Sequence, residues 1–149
     1  MGGAEVQVDV ETGEVRLLRY ISTADVGRAI NPALCEGQDE GAAMQGIGHA
    51  LREELVFEHG QLLNGGLIDY AVPTMETLPD EFASILFEDG GRPGPYGAKG
   101  VGEAGIVAPA PAIAAAVYAA TGLCVRDLPM TPERVWRAIR AARAARGAR

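Results

Sequence analysis

Aromatic side chains are scarce in these 149 residues: they make up 5%, with a single tryptophan. Stacking platforms for nucleobases need such rings. The net charge of −7 removes the other usual means of holding nucleic acid or an anionic membrane. Cysteine is nearly absent too. Cys35 and Cys124 stand far apart and form no close-spaced motif, so they are expected to be buried, reduced thiols, and no iron–sulfur ligation pattern is visible. His49 and His59 are too sparse a pair for a zinc site. The start, MGGAEVQVDVE, lacks the basic-then-apolar run of a secretion signal, which makes the cytoplasm the default location. The longest apolar stretch, IVAPAPAIAAAVYAA, reads as too short and too broken by Pro109 and Pro111 to span a bilayer.

What is present is an ordinary globular balance, 48% apolar and 22% charged, in a chain long enough for one hydrophobic core. The charge is unevenly spread. Residues 126–149 hold seven arginines against Asp127 and Glu133, a local balance of +5, which leaves −12 on residues 1–125. A basic helical tail over 137–149 therefore follows an acidic body. It is expected to be a solvated helix end, to fold over the chain's own acids, or to dock a partner.

The opening alternates. Val6, Val8 and Val10 share one face, Glu5, Gln7 and Asp9 the other, and Val15, Leu17 and Arg19 follow after ETGE. This predicts a β-hairpin with one solvated side. Asn31-Pro32 predicts a helix start, because Asn caps and Pro suits the first turn. That helix runs toward Glu53 and Glu54 and carries Gly41, Gly46 and Gly48 inside it. Each such glycine costs about 1 kcal/mol against alanine, so something packs very close, either another helix or a cofactor. A short hairpin is expected around His59-Gly60 and a strand over EFASILFED. A long Gly/Pro-rich loop, GGRPGPYGAKGVGEAG, precedes an alanine-rich helix ended by Gly122. Thr131-Pro132-Glu133 opens a last helix with Val135, Ile139 and Ala142 facing inward. The fold class is α+β, with an N-terminal β-hairpin, mixed strands and about three helices.

The loop's GVGEAG matches G-x-G-x-x-G, with Asp127 roughly twenty residues on. A dinucleotide fingerprint needs a buried strand running into the glycines, and GRPGPYGAK cannot be one. Two readings of Glu103 stay open. It either caps a turn, or it is an ionised catalytic base close to a helix N-terminus with glycines that let a bulky ligand approach.

The segments DVGRAINPALCEGQDEGAAMQGIGHALREEL, DYAVP, AKGVGEAG with its following alanine-rich helix, and LPMTPERVW occur in this order over about Ala4 to Ile139. Together they resemble the C-terminal part of the molybdenum-binding large subunit of the xanthine dehydrogenase and aldehyde oxidase (molybdenum hydroxylase) family. The resemblance implies that residues 1–149 form the C-terminal part of a molybdopterin-binding domain. It implies that Glu103 is the base that deprotonates Mo–OH beside the molybdenum, that Gln38 hydrogen-bonds the molybdopterin cofactor, and that Gly102 lies against that cofactor through its backbone. Oxidation of a carbon centre with oxygen from water is the implied reaction. Iron–sulfur clusters and FAD are expected on partner chains only. Family subunits are several times longer, and their upstream segments supply most of the cofactor cradle and the substrate pocket. The chain is therefore expected to complete its site with a longer molybdenum-binding chain, and to hold no molybdopterin and be inactive alone. The alternative is a truncated remnant, a structural or assembly module without turnover.

Overall fold

The computed structural model describes residues 1–89 and 94–147. The start of the Gly/Pro-rich loop, residues 90–93, and the last two residues of the basic tail lie outside them.

The N-terminal alternation produces β1 (Gly2–Val8) and β2 (Val15–Asp25), paired antiparallel. The intervening turn is tied by Asp9, whose carboxylate accepts from the amides of Glu11 and Thr12 and is held below its ordinary pKa by them. Gly13 completes the turn at φ 80°, and a Cβ there would stand 2.0 Å from the carbonyl oxygen of Pro132. The hairpin tip thus seats directly on the start of the last helix.

The simple alternation does not persist along β2. Val6 pairs with Leu17 and Glu5 with Arg19, so Leu18 is an extra residue, a β-bulge. Inward positions shift from Leu17 to Tyr20, Ser22 and Ala24, which places a tyrosine and a serine in the core. Burial and the nearby charge of Asp39 push the Tyr20 hydroxyl up to about 12. Its ring packs on Phe82 with centroids 5.7 Å apart.

Asn31 caps α1 (Pro32–Leu51) as expected, its side chain accepting from the Leu34 amide. A small hairpin of β3 (Phe57–Glu58) and β4 (Gln61–Leu62) turns at His59-Gly60. β5 (Glu81–Phe87) then returns to pair parallel with β2, giving a three-stranded sheet in the order β1-β2-β5. After the glycine loop come a one-turn helix, α2 (Ala104–Val107), α3 (Pro109–Thr121) and α4 (Pro132–Gly147). Gly122 ends α3 in the left-handed conformation, φ 71°. Thr131 Oγ1 accepts from the Arg134 amide at the head of α4. Helices α1 and α3 pack on the sheet, and α4 adds Val135 and Ile139 to the core they enclose. The core lies between them: Leu17, Tyr20, Ala43, Ile47, Ile113, Val117, Met130, Val135 and Ile139.

Two expectations change. The thiols are not both buried, since Cys35 is half-buried and Cys124 exposed. The apolar stretch is interrupted where its first proline stands: α2 ends at Val107, and Pro109 opens α3 at a first-turn position where its missing N–H is harmless. It is not too short, however: α2 and α3 together, Ala104–Thr121, cover 18 residues with mean hydropathy 1.6, enough by length and composition alone to cross a bilayer. Its inner face, Ile113 and Val117, belongs to the core described above. The basic tail partly returns to the acidic body through Arg143 on Glu11, and just ahead of it Arg134 pairs with Glu54. These exposed pairs contribute little individually.

Candidate active site

The GVGE loop and α1 leave from a common anchor. Main-chain bonds tie Arg28 N to Gly97 O (2.8 Å) and Lys99 N to Val26 O (2.9 Å). A Cβ on Gly27 would lie 2.4 Å from Gly97 O, so only glycine permits this approach. Lys99 Nζ donates to Asp25, and that contact, with the Gly27 amide, holds the Asp25 carboxyl below its ordinary range. The anchor ends three residues before Asn31, where α1 begins. Loop and helix therefore start side by side and diverge around a cleft.

No strand is formed in residues 94–103; an isolated bridge between Gly27 and Ala98 is the pairing there. The dinucleotide geometry is accordingly missing from the approach to the glycines.

The cleft is a cavity of about 610 Å³. Gly37, Gln38, Gly41 and Gln45 line it from α1, one stripe at helical spacing, and Gly102 and Glu103 line it from the loop. The two walls are joined by one hydrogen bond, Gln38 Nε2 donating to Gly102 O at 3.2 Å. All three residues singled out from the sequence, Gln38, Gly102 and Glu103, are thus brought to one place. Gln45 was not singled out, although its spacing of seven from Gln38 is the signal that puts both on one helical face.

Glu103 occupies the N-cap position of α2, but its side chain makes no capping hydrogen bond. The carboxylate is exposed toward the cavity rim rather than spent on the turn. Its main-chain carbonyl instead accepts from Ile106 N.

The glycines divide. A Cβ on Gly46 would meet Pro109 Cγ at 2.6 Å and Ile106 O at 2.7 Å, and one on Gly48 would meet Pro73 Cγ at 2.6 Å. Those two exist for internal packing. At Gly37, Gly41 and Gly102 a Cβ would meet nothing within 4 Å. Here bare backbone faces open space, the surface a flat ligand can approach closely.

The described lining offers two carboxamides, one carboxylate and exposed main chain, and no cationic side chain. That donor set fits the edge of a planar, hydrogen-bonding heterocycle such as a pterin. It does not provide for a phosphate, which calls for Arg, Lys or a long helix's N-terminus. Among the described residues no cluster of three His, Cys, Asp or Glu could hold a metal ion directly.

A second polar group lies farther along α1. Tyr70 donates to Glu53 at 2.6 Å, and His49 Nε2 stands 3.6 Å from the same carboxylate. The Tyr70 hydroxyl is raised above its ordinary pKa by that hydrogen bond. This cluster ties the end of α1 to the segment before β5 and does not line the Glu103 cavity.

Known proteins resemble this chain over most of its length. Residues 1–79 match the molybdopterin cofactor-binding domain family. The chain is 37% identical over 137 residues to the probable hypoxanthine oxidase XdhD of Escherichia coli (strain K12), covering 91% of this chain and 14% of that protein. It is 40% identical over 135 residues to the aldehyde oxidoreductase molybdenum-binding subunit PaoC of the same organism, covering 88% and 18%. Among solved structures, quinoline 2-oxidoreductase from Pseudomonas putida 86 superposes with a TM-score of 0.83 at 34% identity, over 91% of this chain and 18% of that one. The chain therefore spans less than a fifth of the length of these relatives. On sequence and fold, it belongs to the molybdopterin cofactor-binding domain family of the molybdenum hydroxylases.

Proposed function

We propose that this chain forms one wall of a molybdenum hydroxylase active site, with Glu103 as general base and Gln38 and Gly102 against the cofactor. The observation that carries this reading is the Gln38–Gly102 hydrogen bond. It joins the helix and the loop at a cavity whose one carboxylate, among the described lining residues, is that of Glu103.

When bound, the molybdenum cofactor supplies two-electron redox chemistry and activates oxygen derived from water. Glu103 would supply what redox chemistry alone does not, a carboxylate oxygen placed to accept a proton from that water-derived oxygen. Freedom from capping leaves both Glu103 oxygens available. The bond from Gln38 Nε2 leaves its amide oxygen and its second N–H for the pterin edge. Gly37, Gly41 and Gly102 let the heterocycle lie on main chain.

The chain contributes the C-terminal part of a larger domain. A longer molybdenum-binding chain supplies the phosphate-binding groups and the substrate pocket, and further partner subunits carry the iron–sulfur clusters and FAD. Large apolar side chains left in solvent support this, among them Leu67, Ile68 and Met75 at 78, 97 and 82% exposed. So does the outer face of the sheet, which exposes Ile21, Ile85 and Phe87.

Co-expression with a longer molybdenum-binding chain of the family tests the proposal. A molybdenum-loaded complex is expected, in which Glu103→Gln lowers kcat by about 100-fold or more while molybdenum and pterin content are retained. Failure of the chains to associate, or full activity in the variant, overturns it. The second result would leave a structural or assembly module.

A further inference from the structure

Beneath the cavity lies a group that the proposed chemistry does not use. Asp39 follows Gln38 on α1, about 100° further round the helix, where it turns toward the sheet and is only 3% exposed. Its two oxygens accept from Ser22 Oγ (3.0 Å) and Ser84 Oγ (2.7 Å). Those serines are direct register partners on the parallel strands β2 and β5. Their hydroxyls form a fork across two strands, and one carboxylate fills it.

The other side of Asp39 carries the loop. A Cβ on Gly105 would stand 2.9 Å from both the Asp39 main-chain oxygen and Oδ1, and 2.9 Å from Ala42 Cβ. The first turn of α2, which begins one residue after Glu103, therefore rests directly on Asp39.

Stability alone gives a poor reason for this charge. A buried carboxylate loses its hydration, and two neutral hydroxyls compensate it only partly. No cation lies within ion-pair distance of it among the described residues. Apolar residues of similar volume often serve a core as well or better. What hydrogen bonds to two strands add is direction: they set both the rotation of α1 about its axis and its height above the sheet.

Resting on the function proposed above, we propose that Asp39 is a positioning residue, whose bonds to Ser22 and Ser84 fix the height and rotation of α1 and thereby seat Gln38 and the Glu103 turn together. It touches neither cofactor nor substrate. It acts through Gln38, its neighbour in the chain, and through Gly105, which packs on it.

Amide exchange, read by NMR on the full chain without cofactor, tests this. The local reporter is the Ile106 amide, which donates to Glu103 O. The reporters of the core are Ile113 and Val117 in α3. Asp39→Ala is expected to speed exchange at Ile106 on the order of tenfold beyond any change at Ile113 and Val117. Asp39→Asn keeps the fork's shape and is expected to restore Ile106 protection to within about threefold of the parent. Equal acceleration at all three amides marks a merely structural role and overturns the proposal. So does an Asn variant that behaves like Ala. If Asp39→Ala does not fold, Ser84→Ala withdraws one donor from a half-buried position. Selective acceleration at Ile106 then supports the proposal, and unchanged protection there overturns it. Because these readings need no cofactor, they stand or fall separately from the role of Glu103 as base.

Discussion

The two halves of α1 use the same residue for opposite ends. In its C-terminal half, Gly46 and Gly48 are buried and leave no room for a methyl group, because Pro109, Ile106 and Pro73 press on the helix. In its N-terminal half, Gly37 and Gly41 face a cavity with nothing within 4 Å. The first pair holds the domain together. The second keeps main chain bare beside Gln38, where the domain has nothing of its own to put. A glycine in a helix thus reports that something comes close, but not whether that something is the protein itself.

Substitutions with alanine should break this symmetry in opposite directions. The largest effect is expected at Gly46. Its Cβ would clash with Pro109 and with the Ile106 carbonyl, main chain that cannot move aside. Even after the helix-propensity gain, Gly46→Ala is expected to lower the free energy of unfolding by about 2 kcal/mol, read from chemical denaturation. Gly41→Ala should do the reverse, raising stability by about 0.5–1 kcal/mol in the same assay. In a complex with a longer molybdenum-binding chain, the same variant should lower the pterin content per chain. If it destabilises the chain instead, the distinction between the two halves fails.

The smallest effect concerns the anchor from which loop and helix diverge. Asp25 is held below its ordinary value of 3.8 chiefly by Lys99. A carboxylate with a lowered folded pKa contributes its stabilisation fully above the unfolded value and loses it as pH falls through the folded one. The protection this pair gives the Lys99 amide should therefore be full and independent of pH near neutrality, and should be lost in acid, below the ordinary carboxylate range. Asp25→Asn should abolish that acid-dependent part. Added salt should weaken the difference, since the pair is partly exposed.

Much of this was legible in the sequence because it depends on near neighbours. Asn31-Pro32 announces α1, Gly122 ends α3, Thr131-Pro132 opens α4, and the alternation of residues 4–17 gives the first hairpin. Gln38, Gly102 and Glu103 stood out through linked motifs, and the structure gathers them around one cavity. The bulge at Leu18 was not legible, since a one-residue slip in pairing leaves no mark on composition yet exchanges the two faces of a strand. Nor was the exposure of Cys124, which follows from where the segment after α3 lies on the surface.

Asp39 illustrates the limit best. Flanked by Gln38 and Glu40, it looks like one more solvated acid on a helix. Its partners are 17 and 45 residues away in the chain, on strands that meet only after β5 has returned beside β2. The sequence by itself determined the elements, their caps and the family, because those rest on spacing and on contacts within a few residues. Only the tertiary structure decided which glycines are packed and which are open, and which acid is buried and which is exposed at the cavity. Those are properties of what approaches from elsewhere in the fold, and no local pattern encodes the approach.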